Sequence, residues 1–306
     1  VLRRVLAMLL LSVGMAWPAL TVAGQFVVGF SQDAANNEWR VAQARQLKEA
    51  FDEMSDVKFE IVQASGSTAQ QIIDIDNFVQ RRVNLLIVSP RDATLLAAPV
   101  ARAYRAGIPV MLITRRVDGE DFTTHVGPDD EAIGRAAARL IAQRLGGRGK
   151  VLMLKGTPTT STAIARTQGF VDELSRLPGM QLVDTRTANY QRSEAIREME
   201  SVLSKGLAFD AIYAQNDTMA SGARLALKQA GRDLRKIVLV GIDYLPEARE
   251  AILAGEQTAS FIYPTCVPEI VSTARAILAG SKVPRRVPVR STLVERSNAD
   301  SIKSAF

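Results

Sequence analysis

From residue 26 to about residue 262, short β-branched apolar runs alternate with longer amphipathic stretches, and that rhythm leaves few folds open. The runs 26–30, 59–62, 85–88 and 110–113 read as strands, and 39–54, 69–82 and 94–106 read as helices between them. Leu85-Leu-Ile-Val88 is continuously apolar, as a parallel strand buried on both faces should be. Ile72, Ile75 and Val79 recur at helical spacing, and Gly107 with Pro109 closes the third helix. The rhythm then restarts, with strands at 151–154, 181–183, 211–213 and 237–240 and helices at 162–177, 193–203 and 218–230. Such alternation predicts parallel sheets with right-handed crossovers. There are two such units, near 25–127 and 128–262, with no low-complexity linker between them. The predicted fold is α/β: two doubly wound parallel-sheet lobes whose strand C-termini face a shared crevice.

Residues 1–24 stand outside this rhythm. Arg3 and Arg4 precede an apolar run from Val5 to Val13, and small residues at 21–24 follow Pro18. That order is the order of a secretory signal peptide, and the run is short of the about 20 residues a membrane span needs. The reading is a cleaved leader and an exported, periplasmic product. Its loss removes two arginines and no acid from a chain of net charge +6, leaving about four net positive charges. With no run of like charges, the balance speaks against a nucleic-acid partner. A single cysteine, Cys266, excludes an internal disulfide framework, and a single histidine, His125, excludes a multi-histidine metal centre. No cofactor or metal is expected.

The informative residues follow the apolar runs. Ser31-Gln32-Asp33 and Asn36-Asn37-Glu38-Trp39-Arg40 come after the first strand, and Thr114-Arg115-Arg116 after the fourth. In the second unit Gly156-Thr157-Pro158 leads to Arg166, and Asn189-Tyr190, Asn216-Asp217 and Asp243-Tyr244 follow later strands. Planar, polar and aromatic groups thus converge from both units. Hydroxyls both donate and accept, so they fit between arginines and carboxylates or amides, each charge-assisted bond contributing about 1.5–3 kcal/mol net. Aromatic faces such as Trp39 and Tyr190 suit the C–H faces of a sugar ring. An anion is the competing ligand, because Arg40, Arg115 and Arg166 could converge, with Asp243 and Asp118 cancelling part of the charge.

Each residue also has a plainer reading. Trp39 could be a core residue, Arg40 and Arg116 solvated surface arginines, Asp217 the cap of the helix from Thr218, and His125 a packed or hinge side chain. Asn216-Asp217-Thr218 fits a glycosylation pattern by chance. Gly146-Gly-Arg-Gly-Lys150 precedes a strand instead of following one and lacks the hydroxyl residue of a phosphate loop. No nucleophile elbow or dinucleotide fingerprint is present, so no catalytic residues are assigned.

Several stretches together resemble type I periplasmic sugar-binding proteins, the ribose- and galactofuranose-binding substrate subunits of ABC transporters. They are Gln71–Gln80 running into Val83–Pro90, Ala106-Gly-Ile-Pro-Val110, Ser161–Arg166 with Gly169-Phe170, Ala214-Gln-Asn-Asp217 and Val240-Gly-Ile-Asp243. Trp39-Arg40, Asn189–Ser193 and the Arg166 segment look closer to the galactofuranose branch. The resemblance implies Trp39 and Tyr190 as aromatic walls, with Asn37 and Arg40 nearby and Arg115, Arg166, Asn216 and Asp243 bonding hydroxyls. It implies three chain crossings, which divide the mature chain into a lobe of 25–128 plus 263–289 and a lobe of 129–262 plus 290–306. It implies a monomer that closes on a sugar and docks on an ABC permease, or on a sensor kinase or chemoreceptor. Thr114 and Ile262 stand where the family usually has an aspartate and a polar side chain, which implies a drier, more cationic pocket. A sugar-responsive repressor would share this core, but it would need a DNA-binding segment where residues 1–24 stand.

Overall fold

In the computed structural model, which describes residues 25–304, the chain builds two six-stranded sheets. The first stretch runs β1 (Phe26–Gln32), α1 (Glu38–Asp52), β2 (Val57–Gln63), α2 (Thr68–Gln80), β3 (Leu85–Ser89), α3 (Ala97–Arg105), β4 (Val110–Ile113) and β5 (Thr124–Gly127). The second runs α4 (Asp130–Arg144), β6 (Gly149–Lys155), α5 (Ser161–Leu174), β7 (Met180–Thr187), α6 (Arg192–Ser204), β8 (Ala211–Ala214), α7 (Asp217–Gln229), β9 (Val238–Asp243), α8 (Pro246–Leu253) and β10 (Ala259–Ile262). The tail forms α9 (Val267–Leu278), β11 (Arg286–Pro288) and β12 (Leu293–Glu295). The signal-peptide reading of 1–24 lies outside the described residues.

Lobe one carries the order β11-β5-β4-β3-β1-β2, every pair parallel. Lobe two carries β12-β10-β9-β8-β6-β7, parallel except where β12 runs against β10. The two-lobed parallel α/β architecture read from the apolar rhythm is the one observed. β3 is buried along its whole length, and its neighbour β4 likewise, because helices cover both faces. Each fully buried Leu or Ile there contributes about 1.5–3 kcal/mol.

The chain passes between the sheets three times: between β5 and α4, between β10 and α9, and between β11 and β12. After the second passage α9 packs on α1 and β3, back in lobe one. In each sheet the order reverses beside the first strand, at β1/β3 and at β6/β8, so loops leaving those strands diverge and open a crevice at their carboxyl ends. The residues following β1 and β6 occupy those two switch points.

Two helices, α4 and α8, lie where the sequence reading placed none. α4 is rich in alanine and carries glycine in place of bulk, which blurs the apolar period. Gly134 approaches α5 so closely that a Cβ there would sit 2.3 Å from the Arg166 carbonyl oxygen. The helix read from Thr94 starts only at Ala97, because Asp92 turns the preceding residues by accepting from the amides of Thr94 and Leu95.

Candidate ligand site

Asn37 and Asn216 open the site in the same way, one from each lobe. Each has an extended backbone and caps its helix, Asn37 Oδ1 accepting from Arg40 N at 2.9 Å and Asn216 Oδ1 from Met219 N at 2.9 Å. Such a cap contributes about 1 kcal/mol and fixes the side chain at the helix mouth. Asn216, not Asp217, is therefore the cap of α7. Asp217 instead lies buried, accepting from Tyr244 N at 2.7 Å, Ser260 Oγ at 2.6 Å and Gln257 Nε2 at 2.8 Å. Burial pushes its carboxyl up to about 6, against the pull of those hydrogen bonds.

That buried carboxylate holds a turn that the backbone resists. Asp243 and Tyr244 both have positive φ, 117° and 59°, a region disfavoured for side chains larger than glycine. Asn189 and Tyr190 do the same at 48° and 64°. Tyr190 can reach the cleft only because Gly156 faces it: a Cβ at 156 would stand 2.0 Å from the ring. Its hydroxyl then bonds Thr162 Oγ1 at 3.0 Å.

The eight sequence-predicted residues, Asn37, Trp39, Arg40, Arg115, Arg166, Tyr190, Asn216 and Asp243, all line one cleft of about 330 Å3, open volume at its mouth included. Thr162 and Tyr263 complete the lining. Both were missed as site residues. Thr162 lies four residues before Arg166 on α5, hence on the same helix face, and Tyr263 directly follows β10, so helix spacing could have found the first and the strand-end rule the second.

Three guanidiniums stand over three aromatic rings: Arg40 at 5.0 Å from the Trp39 centroid, Arg115 at 5.9 Å from Tyr190 and Arg166 at 4.5 Å from Tyr263. Trp39 is 4% exposed and packs edge-on against Tyr263, its indole donating to the Tyr263 carbonyl at 2.7 Å. It lines the cleft and also ties α1 to the second crossing, so it is a packed residue as well as a lining one.

Arg40 is not a surface arginine. It is buried, and Nη1 donates to Ser89 Oγ at 2.8 Å, to Gln43 Oε1 at 3.3 Å and to Thr114 Oγ1 at 3.5 Å. Burial and the neighbouring Arg115 lower it to about 10, while Asp33 works the other way. Arg115 Nη1 meets Asp33 Oδ2 at 2.5 Å. Burial opposes ionisation of Asp33, but Arg115 and then Arg40 outweigh it and hold the carboxyl below its ordinary value. Arg166 meets Asp130 Oδ1 at 2.8 Å and also donates to the Gln215 carbonyl. Burial disfavours its charge, yet Asp130 overcomes this and raises it.

These counter-ions correct the expected charge. Asp118 is exposed and bonds Thr94; Asp33 and Asp130 do the neutralising. Ile262 does not line the cleft but packs with Tyr244, Ile252 and Val294 on the other side. Asp33 and Asp130 pair with Arg115 and Arg166 from behind the cleft, so the three lining arginines present less uncompensated charge than Thr114 and Ile262 implied. Asp243, the carboxyl in the cleft lining, has no ion pair among the described residues; burial pushes it well up, opposed by Arg166. His125, in β5, and the half-buried Arg116 line a separate groove beyond the first crossing. There burial and the nearby Arg116 lower the histidine to about 4.

The lobes touch at both rims of the cleft. Arg192 and Thr218 of lobe two reach Glu38 at 3.2 and 3.1 Å, and on the opposite rim Ala93 N donates to the Thr159 carbonyl at 2.9 Å.

A family model described as "Periplasmic binding protein domain" matches residues 28–279. The chain belongs to that family. A xylitol-binding protein of Mycolicibacterium smegmatis is 30% identical over 217 residues, 71% of this chain and 62% of that protein's length. Among solved structures, the fructose-binding periplasmic domain of a hybrid two-component system superposes with a TM-score of 0.86 at 33% identity, covering 90% of this chain and 93% of its own. An ABC transporter solute-binding protein from Bacillus halodurans C-125 with bound myo-inositol gives 0.87 at 29%, covering 91% and 97%. Among the described residues no helix is long and apolar enough to cross a membrane.

Proposed function

We propose that this chain captures a neutral monosaccharide or related polyol between its lobes and delivers it unaltered to an ABC importer. The observation that carries the reading is the cleft itself. Amides and guanidiniums from both lobes and the Asp243 carboxyl from lobe two converge on one cleft, with aromatic rings as walls and with Arg115 and Arg166 paired to buried carboxylates behind it. A ligand touching both walls favours closure by its differential affinity for the closed form. Asn37, Trp39, Arg40 and Arg115 contact it from one side and Arg166, Tyr190, Asn216 and Asp243 from the other. Segments 25–128 with 263–289 and 129–262 with 290–306 are the bodies that close. Residues 1–24 direct export to the periplasm and are removed. The reading assigns no catalytic step.

The similarity to a binding domain of a two-component system supports a second reading, in which the closed form docks on a membrane sensor. The docking partner differs; the ligand grip does not.

The test is a thermal-shift panel of D-ribose, D-galactose, D-fructose, myo-inositol, xylitol and the corresponding sugar acids, since a native-state ligand raises apparent stability. One or more neutral members should raise the melting temperature. A panel in which none does, or a ligand recovered with altered mass, contradicts the proposal.

A further inference from the structure

Asp33 does not line the cleft, yet it touches both arginines that form the lobe-one wall. It is 4% exposed, with Oδ2 on Arg115 and Oδ1 3.8 Å from Arg40 Nε. Oδ1 and the neighbouring Arg115 Nε have no hydrogen-bond partner among the described residues. The remaining contacts of the two guanidiniums are neutral: Ser89, Gln43 and Thr114 for Arg40, and the Pro90 carbonyl for Arg115. Deleting one carboxylate would leave two like charges facing each other in a buried wall. Such a wall recruits an anion from solvent or from the ligand, because an uncompensated buried charge is costly.

We propose that Asp33 sets the charge class of the ligand, cancelling one of the two lobe-one guanidinium charges so that this wall favours neutral hydroxyls over carboxylated sugars. The inference rests on the sugar-binding reading above. Asp33 acts through Arg40 and Arg115 and is a positioning residue. Thr114 offers an independent handle. Its Oγ1 lies 3.5 Å from Arg40 Nη1, so an aspartate there would reach the same guanidinium from the other side.

The experiment compares D-galacturonate with the neutral panel sugar that most stabilises the wild-type protein, by calorimetric titration at two salt concentrations. Wild type should bind the neutral sugar and show at least tenfold weaker affinity for galacturonate. In Asp33→Asn the neutral sugar should weaken at least tenfold while galacturonate gains at least tenfold and becomes salt-sensitive. Adding Thr114→Asp to that variant should restore the neutral preference, a rescue that a merely structural role would not give. Thr114→Asp alone, which keeps Asp33, should shift preference towards D-galactosamine over galactose. An unchanged galacturonate-to-neutral ratio in Asp33→Asn, within threefold, overturns the proposal. Should Asp33→Asn not fold, an unchanged galactosamine-to-galactose ratio in Thr114→Asp overturns it instead. Failure of every neutral sugar on wild type contradicts the sugar reading itself, a separate outcome read before any variant.

Discussion

The two walls of the cleft are held by different physics. In lobe one, the residues from Asn37 to Arg40 enter α1 through an ordinary cap, and the wall is set by side-chain charge: Arg40 and Arg115 around Asp33. In lobe two, Asn189, Tyr190, Asp243 and Tyr244 sit on left-handed or positive-φ backbone, and the wall is set by what pins those turns. Asp217 pins one, and the absence of a side chain at Gly156 admits Tyr190 to the other. Thr114, at φ 57°, is the one such residue next to a lobe-one wall arginine, Arg115. On the proposal above, lobe one tunes which charge is accepted, whereas lobe two fixes where the ring and carboxyl stand. Substitutions in lobe two should therefore cost stability and affinity together, and those in lobe one mainly selectivity.

The largest effect is expected at Asp217→Asn. Its carboxylate receives only donors, and Gln257 cannot turn its amide without surrendering the bond its oxygen accepts from Arg224. One buried donor–donor clash should lower stability by about 2–3 kcal/mol and ligand affinity by more than tenfold, read by urea denaturation and titration. The pH dependence sharpens the point. Asp217 has a raised carboxyl in the folded state, so its contribution is fully present below its ordinary value near 4. That contribution is lost as pH rises through about 6. The wild type should lose stability over this window, and the loss should shrink in Asp217→Asn.

Next comes Gly156→Ala. The added Cβ must displace the Tyr190 ring, which should weaken ligand binding by roughly tenfold or more, at about 1.4 kcal/mol per decade. An unchanged affinity would remove Tyr190 from the wall. In lobe one, Arg115→Lys keeps charge but loses the planar fork and the place over Tyr190. Its affinity should fall several-fold, with stability changed by less than in Asp217→Asn. The smallest effect is expected at Glu38→Gln on the rim. Its half-exposed pair with Arg192 is worth about 0–1 kcal/mol, so titration should find no more than a roughly fivefold change.

The fold was legible because β3 and its neighbours are apolar on both faces, which leaves a period no surface strand would show. The eight lining residues named from the sequence were legible because parallel strands gather the residues that follow them at one crevice and because the family resemblance picked these out among them. What the sequence hid is long-range pairing. Asp33 meets Arg115 across 82 positions and Asp130 meets Arg166 across 36, and no local pattern announces either partner. Asp217 misled for a related reason: its capping chemistry fits the helix start, but its neighbour Asn216 has the extended backbone that a cap needs. Ile262 misled because one step along β10 turns a side chain to the opposite face.

The most direct test of a ligand gripped by both walls is amide hydrogen exchange with and without the neutral sugar that stabilises the protein. Slowed exchange is expected together at residues 37–41 and 115–116 in lobe one and at 189–191, 216–219 and 243–245 in lobe two. Protection confined to one lobe, with the other exchanging as in the free protein, would contradict it.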